Sequence, residues 1–391
     1  MSEWMDWANE LFPFNQAIRR DLHQHPELGF QETRTAALIA RQLEEMGLEV
    51  TTGIAETGVV GTLRGAKPGP TILARFDMDA LPIQEETGAV YASVHPGVMH
   101  ACGHDGHVAI GLTTARMLAS RKEQLAGQVR FVFQPAEEGQ GGAFQMVEQG
   151  AADGCDFALA LHLWNDRPAG WVGLRPGPVM AGADVFKVRI RGVGGHGAVP
   201  HQTVDPIVAG AQMVSALQTI VSRNVSALKT GVISVGAFHA GEALNVIPAE
   251  AEFGGTIRFF EAAVQTRMRE RIRSVCQGTA QAMGCEVDVE IEDWTRAVVN
   301  DASVTGRLEA VFSQEFPELH VDADCQTMAS EDASAFLERV PGVYFFVGSA
   351  NKERGLAFSH HHPRFDFDEQ ALTYGAGLMA AAIWELGQKT D

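Results

Sequence analysis

Apolar positions recur with helical spacing over residues 32–46, where Ile39, Leu43 and Met46 fall at i, i+4 and i+7 and Gly47 stands as a stop. Short apolar runs at 71–76, 129–134 and 158–162 suit buried strands. Between them Val108, Leu112, Ala115 and Ala119 again keep helical spacing. Helices alternating with such runs predict an α/β fold, with a mostly parallel sheet covered by helices. Polar residues follow directly on the runs: Asp77 and Asp79, then Glu137 and Glu138, then His162. The carboxyl ends of strands are where open α/β sheets bind ligands, so several strands deliver carboxylates and imidazoles to one edge.

The texture turns Gly/Pro-rich over 170–182, which reads as a linker. From Asp184 the pattern alternates as a strand. A helix follows over 204–221, strands over 231–238 and 249–258, a long helix over 262–283 and a strand over 287–292. That order predicts a ferredoxin-like α+β insert over 184–293, acting as a lid and dimerisation domain. Residues 1–183 and 294–391 would form one discontinuous catalytic domain, closed by a helix over 369–386. No internal repeat or low-complexity tract interrupts this reading.

Composition narrows the partners. A chain of 391 residues is too long for one ordinary core. It carries 30 basic against 49 acidic residues, a net charge of −19 that repels phosphate backbones and anionic lipid. A few arginines in a cleft still suffice for a small anionic substrate. No apolar run approaches the roughly 20 residues that span a bilayer, and Glu3, Asp6 and Glu10 replace the basic start of a secretory signal. A cytoplasmic location is the expectation. The 5 cysteines have no framework spacing, which suits a reducing compartment.

Three imidazoles and a thiol crowd the stretch His100, Cys102, His104 and His107, whose glycines permit tight turns. Glu137 and Glu138 lie in QPAEEG, His162 in ALHLW, and His360, His361 and His362 precede Pro363. Thiolate, imidazole and carboxylate together suit zinc, manganese, cobalt or nickel. Calcium and magnesium want oxygen ligands only. Each group alone has a structural reading, because a lone buried histidine or cysteine is usually packing. Their convergence at strand ends argues for metal.

The motifs RFDMDALPI, HACGHDGH, QPAEEG, GGHGAVPH, NVIPAEA, SEDASAF and HHPRFDFDEQAL also resemble the M20 metallopeptidase family, from about Ile18 to the C-terminus and in the family's order. The amidohydrolase branch, with hippurate hydrolases, N-acyl-amino-acid amidohydrolases and auxin-conjugate hydrolases, is the nearest match. The resemblance implies two divalent metal ions per subunit. Their ligands would be Cys102 as the bridge, His104, Glu138, His162 and His361, the last flanked by two further histidines. It implies Glu137 as general base, against the alternatives of a third ligand or a surface charge. Peptidase members carry His-x-Asp where this chain has Asp77-Met78-Asp79. Asp79 would then orient the His104 imidazole, the alternative being a turn or helix cap.

His196, between glycines, is similar to the residue that reaches across a homodimer to the oxyanion; the alternative is a hinge turn. Asn245 and Arg258 resemble the residues that bind the substrate carboxylate, and a strand-edge arginine paired with an acid is the alternative for Arg258. The implied activity is hydrolysis of N-acyl-amino acids by a metal-activated water. A carboxypeptidase or dipeptidase with the same centre is the runner-up, and a non-enzymatic binding protein the third reading. Cys155, Cys276, Cys285 and Cys325 are assigned to packing.

Overall fold

A computed structural model describes residues 2–388, which form two compact units. One comprises the chain up to Val179, Val298–Gln326 and the segment from Asp332. The other is Met180–Ala297 with Thr327–Glu331. The sequence boundaries at 183/184 and 293/294 lie a few residues inside the second unit.

The first unit is built on an eight-stranded sheet. Its order is Glu49–Ile54, Gly58–Arg64, Ala126–Gln134, Lys67–Asp77, Phe157–Pro168, Gly342–Ala350, Trp171–Gly173 and His320–Asp322. The central four, from Ala126–Gln134 to Gly342–Ala350, run parallel. Antiparallel pairings appear toward the flanks, at Gly58–Arg64 and at Trp171–Gly173. The parallel strands read as continuous apolar runs because both faces are covered. Ile72, Ala74 and Phe76 face one buried cluster with the helices His104–Ala119 and Gln370–Gly387. Leu73 and Val132 face another, with the short helices Gly142–Glu148 and Ser334–Arg339. Gly111 lets the helix His104–Ala119 press onto the sheet: a Cβ there would lie 2.7 Å from Phe76 and 2.9 Å from Phe133.

Residues 170–182 are not the linker that their texture predicts. They contain the strands Trp171–Gly173 and Gly177–Met180, and the first sits inside the main sheet. Three residues are too few to show alternation. Trp171 and Val172 become strand because neighbours on both sides offer ladder partners and cover their side chains.

The second unit has the strand order Gly231–Ala240, Glu250–Phe259, Gly182–Arg191 and Glu286–Thr295, with every neighbour antiparallel. In chain order this is 2-3-1-4 with two helices crossing over, the ferredoxin-like arrangement. Helix Pro206–Asn224 starts where Asp205 accepts from the backbone N–H of Ile207 and Val208. Helix Ala262–Met283 stops at Gly284, whose φ of +76° ends it in the left-handed region. Both helices bury Met213, Leu217, Met268 and Ile272 against Phe186, Val188 and Phe253 of the sheet. Among the described residues, no helix is long and apolar enough to cross a membrane.

Candidate active site

The parallel strands of the first unit end in turns that carry polar side chains, and two turns hold non-glycine residues at positive φ. Ala136, just before Glu137, has φ +53°, and His361 has φ +67°. Such conformations persist only where surroundings over-determine them. Buried Glu32 accepts from the Ala136 N–H at 3.0 Å while its other oxygen accepts from the Thr57 hydroxyl at 2.6 Å. The His361 N–H is held by the Ala101 carbonyl at 2.8 Å, which joins the two loops that carry Cys102 and His361.

Hydrogen bonds fix which nitrogen each imidazole presents. His104 Nδ1 faces only acceptors, the Asp79 carbonyl at 2.9 Å and Asp79 Oδ1 at 3.1 Å, so Nδ1 carries the proton. Its Nε2 is buried without a hydrogen-bond partner. His162 Nδ1 donates to the Leu163 carbonyl at 2.7 Å, leaving Nε2 bare and 3.5 Å from Cys102 Sγ. His361 Nε2 lies 3.1 Å from Glu138 Oε1. The other oxygen of Asp79 accepts from the Glu138 N–H at 3.0 Å, tying the two carboxylate-bearing turns together.

Two donor triads result, and they share one atom. Cys102, His104 and His162 form the first, and Cys102, Glu138 and His361 the second, with donor atoms in each within 4.8 Å of one another. Glu137 joins His104 and Glu138 in a third such group. An orphaned imidazole nitrogen next to a thiol and a carboxylate is a costly arrangement without a cation and a natural one with it. The residues therefore fit a pair of divalent cations. Burial, with Glu138 adding to it, pushes the Cys102 thiol up. Hydrogen bonds to Cys102 and Glu138 push His361 up to about 10. Both groups would release protons to a metal.

The histidines on either side of His361 are already committed. His360 Nε2 accepts from the Asn165 N–H at 3.2 Å, and burial first, then His361, push its pKa down to about 3. His362 Nδ1 accepts from the Arg364 N–H at 3.0 Å. His100 is buried with both ring nitrogens unpartnered. A cavity of about 160 Å³ opens beside Asp79 and Glu138, lined also by Leu28, Ala80, Leu81 and Gln140.

Behind the loop that carries Cys102 and His104 lies a buried charge cluster that the sequence reading missed. Arg19, fully buried, reaches Asp105 at 2.8 Å, Asp366 at 2.7 Å and Glu369 at 3.3 Å. His23 adds contacts to Asp105 and Glu85. The acids that meet Arg19 lie in motifs read from the sequence, Asp105 in HACGHD and Asp366 and Glu369 in HHPRFDFDEQAL, but nothing local paired them with Arg19.

The second unit holds the remaining sequence-predicted residues. His196 is exposed on the two-residue strand Gly195–His196, which pairs with Val246–Ile247 next to Asn245. The Gly197 N–H donates to the Asn245 carbonyl at 2.9 Å. The Ala198 N–H donates to His196 Nδ1 at 3.0 Å, so in the neutral ring Nε2 carries the proton. Arg258 lies on Glu250–Phe259, an inner strand of its sheet, not an edge. It is half-buried and bonds the Ser330 hydroxyl at 2.6 Å, and among the described residues no carboxylate pairs with it. Burial lowers its pKa without a compensating acid.

Residues 73–385 match the model of peptidase family M20/M25/M40. The chain belongs to peptidase family M20. Over 365 residues it is 39% identical to the N-acetylcysteine deacetylase of Bacillus subtilis, covering 93% of this chain and 94% of that one. Over 363 residues it is 38% identical to the thermostable carboxypeptidase 1 of Saccharolobus solfataricus, covering 92% of each. The crystal structure of the Bacillus subtilis YXEP protein, a dinuclear metal-binding peptidase of the M20 family, superposes with a TM-score of 0.85 at 34% identity, covering 96% of this chain and 98% of that one. This M20 chain is a hydrolase of amide bonds.

Proposed function

We propose that the protein hydrolyses the amide bond of N-acyl-amino acids, releasing a carboxylic acid and a free amino acid. The observation that carries the reading is the pair of donor triads sharing Cys102, with Glu137 beside them. Cys102, His104, Glu138, His162 and His361 would hold two divalent cations, zinc first and manganese, nickel or cobalt after it. When bound, such a pair lowers the pKa of water and polarises a carbonyl.

The chain's own residues supply the rest. Glu137 takes the proton of the attacking water and returns it to the leaving nitrogen. Asp79 keeps His104 in the tautomer that leaves Nε2 bare. The Nε2–H of His196 is the donor for the tetrahedral oxyanion, given to a partner subunit's site. Arg258 offers a two-donor fork to the substrate carboxylate, and Asn245 adds an amide. The cavity beside Glu138 has room for the acyl group: about 150 Å³ accommodates a benzene ring.

A carboxypeptidase or dipeptidase activity at the same centre is the second reading, favoured by the likeness to the carboxypeptidase. The test is a turnover screen of N-acetyl- and N-benzoyl-amino acids against dipeptides, after reconstitution with zinc, manganese, cobalt or nickel. N-acyl-amino acids should be preferred; faster turnover of dipeptides reverses the order, and no turnover with any metal removes both. The dimer is tested by mixing Glu137→Ala and His196→Ala subunits under exchange. Half the dimers are then mixed with one complete site each, restoring about a quarter of wild-type activity. Confirmed exchange with no recovery puts His196 out of the partner's site.

A further inference from the structure

His107, like His100, is a histidine of HACGHDGH that the proposed metal centre does not use, although one of its ring nitrogens lies within 4.8 Å of donor atoms of Asp77 and His104. Its hydrogen bonds exclude it as a ligand in this geometry. Nε2 receives the Leu163 N–H at 2.9 Å, and a backbone amide can only donate, so Nε2 is the unprotonated nitrogen. Nδ1 then carries the proton and gives it to Asp77 Oδ1 at 2.5 Å. The single lone pair of a neutral imidazole is spent on Leu163.

The place of that bond in the sheet is informative. Strand Lys67–Asp77 pairs with Phe157–Pro168 only as far as Arg75 opposite Ala160. Beyond this point the two strands part, and the N–H of Leu163 has no ladder neighbour on that side. The imidazole of His107, projecting from helix His104–Ala119, takes the place of the missing strand. The peptide it holds is the one joining His162 to Leu163, and the next carbonyl along is the acceptor for His162 Nδ1. The His107 ring also stands edge-on against that of His162, with centroids 4.6 Å apart. Behind it, Asp77 is fixed by Arg75 at 2.7 Å, and Arg75 by Gln134 at 2.6 Å.

We propose that His107 is a positioning residue: as neutral acceptor for the Leu163 amide it fixes the backbone at His162 and thereby aims the free Nε2 of His162 at the cation pair. This rests on the reading of His162 as a ligand. It predicts that the chain Arg75–Asp77–His107–Leu163 sets metal affinity without any of its members touching metal.

The test compares His107→Phe, which keeps the ring shape and loses both nitrogens, with His107→Gln, whose amide can donate to Asp77 and accept from Leu163. Cation affinity is read by chelator competition, and site geometry by the visible absorption of the cobalt form. The phenylalanine variant should lose roughly 10–100-fold in affinity, the usual scale for a partner behind a ligand, and shift the cobalt spectrum. The glutamine variant should recover most of both. Wild-type affinity and spectrum in the phenylalanine variant overturn the proposal, as does an equal loss in both variants that remain folded. Histidine-ring nitrogen NMR of the wild type gives a second reading: His107 should show protonated Nδ1 with and without metal, while His162 Nε2 moves on metal addition. A metal-induced shift of His107 like that of a ligand overturns the proposal. A wild type that takes up no cation overturns the proposed function along with it.

Discussion

The two units hold their candidate residues in opposite ways. In the first unit three of the donor-bearing positions are backed by buried groups: Asp79 behind His104, the Leu163 backbone behind His162, Glu32 behind the Glu137–Glu138 turn. In the second, His196 and Asn245 sit exposed on a two-stranded ribbon, and half-buried Arg258 has a hydroxyl where an acid would be expected. Geometry at a metal must be set to a fraction of an ångström before the ion arrives, which requires stiff support. Groups that meet a substrate gain by staying unpaired until it binds, since an internal acid would compete for the same guanidinium. Under the proposed function, the contrast separates residues that would build a centre from residues that would wait for a ligand.

The largest expected effect lies at the centre itself. Glu137→Gln keeps size and removes the proton acceptor, so kcat should fall roughly 10²–10⁴-fold, the scale of general acid–base catalysis. Metal content should be unchanged. Near-normal turnover would take Glu137 out of the proton path and leave it as support for its neighbours.

The contrast also explains what could be read from the chain in advance. Donors at strand ends were legible because parallel strands announce themselves as apolar runs and the next polar residue marks the edge. The insert was legible because its alternation and long helices are local signals; the helix read over 262–283 is Ala262–Met283. Apart from Asp79, read in advance as orienting His104, the supporting groups were not. Arg19 meets Asp366 and Glu369 across 347 and 350 positions of chain, and nothing local marks a buried arginine on an otherwise ordinary amphipathic helix. The strand Trp171–Gly173 was lost for the same reason, being defined by its neighbours.

Removing the support should cost stability where removing an exposed residue does not. Arg19→Met leaves Asp105, Asp366 and Glu369 without their shared cation, and breaking a buried pair of this kind costs about 3–5 kcal/mol. Asn245→Ala, on the exposed ribbon, should stay within about 0.5 kcal/mol of wild type. Urea unfolding of the metal-free protein gives both numbers. Equal costs would erase the distinction between the units.

A smaller effect sharpens the other side. Arg258→Lys keeps the charge and loses the fork, so KM for substrates with a free α-carboxylate should rise roughly tenfold or more, one charge-assisted hydrogen bond's worth. Carboxamide analogues should hardly change. A matched rise for acids and amides would make Arg258 a structural residue of its sheet through Ser330.

The smallest effect is a pH dependence inside the supporting cluster. His23 places Nδ1 2.8 Å from Asp105 and Nε2 3.3 Å from Glu85, an arrangement that suits an imidazolium donating from both sides. Burial and Arg19 push its pKa down, but Asp105 and Glu85 outweigh them and the net shift is upward. A raised histidine contributes stability that is fully present below its unfolded value, about 6.5, and is lost as pH rises through its folded pKa. The other groups facing it stay out of that window. Burial raises Asp105 but Arg19 and His23 hold it far below the carboxylate range, and Glu85 is likewise lowered by His23 against burial. Arg19 stays charged; burial keeps the Tyr91 phenol protonated, and burial first pushes His100 to about 4. A pH-dependent difference between wild type and His23→Gln is therefore attributable to this one ring. In the metal-free protein, the destabilisation by His23→Gln should be larger at pH 6 than at pH 9. A penalty that is flat over that range would mean that His23 is neutral throughout and serves the cluster only by shape and a single donated hydrogen bond.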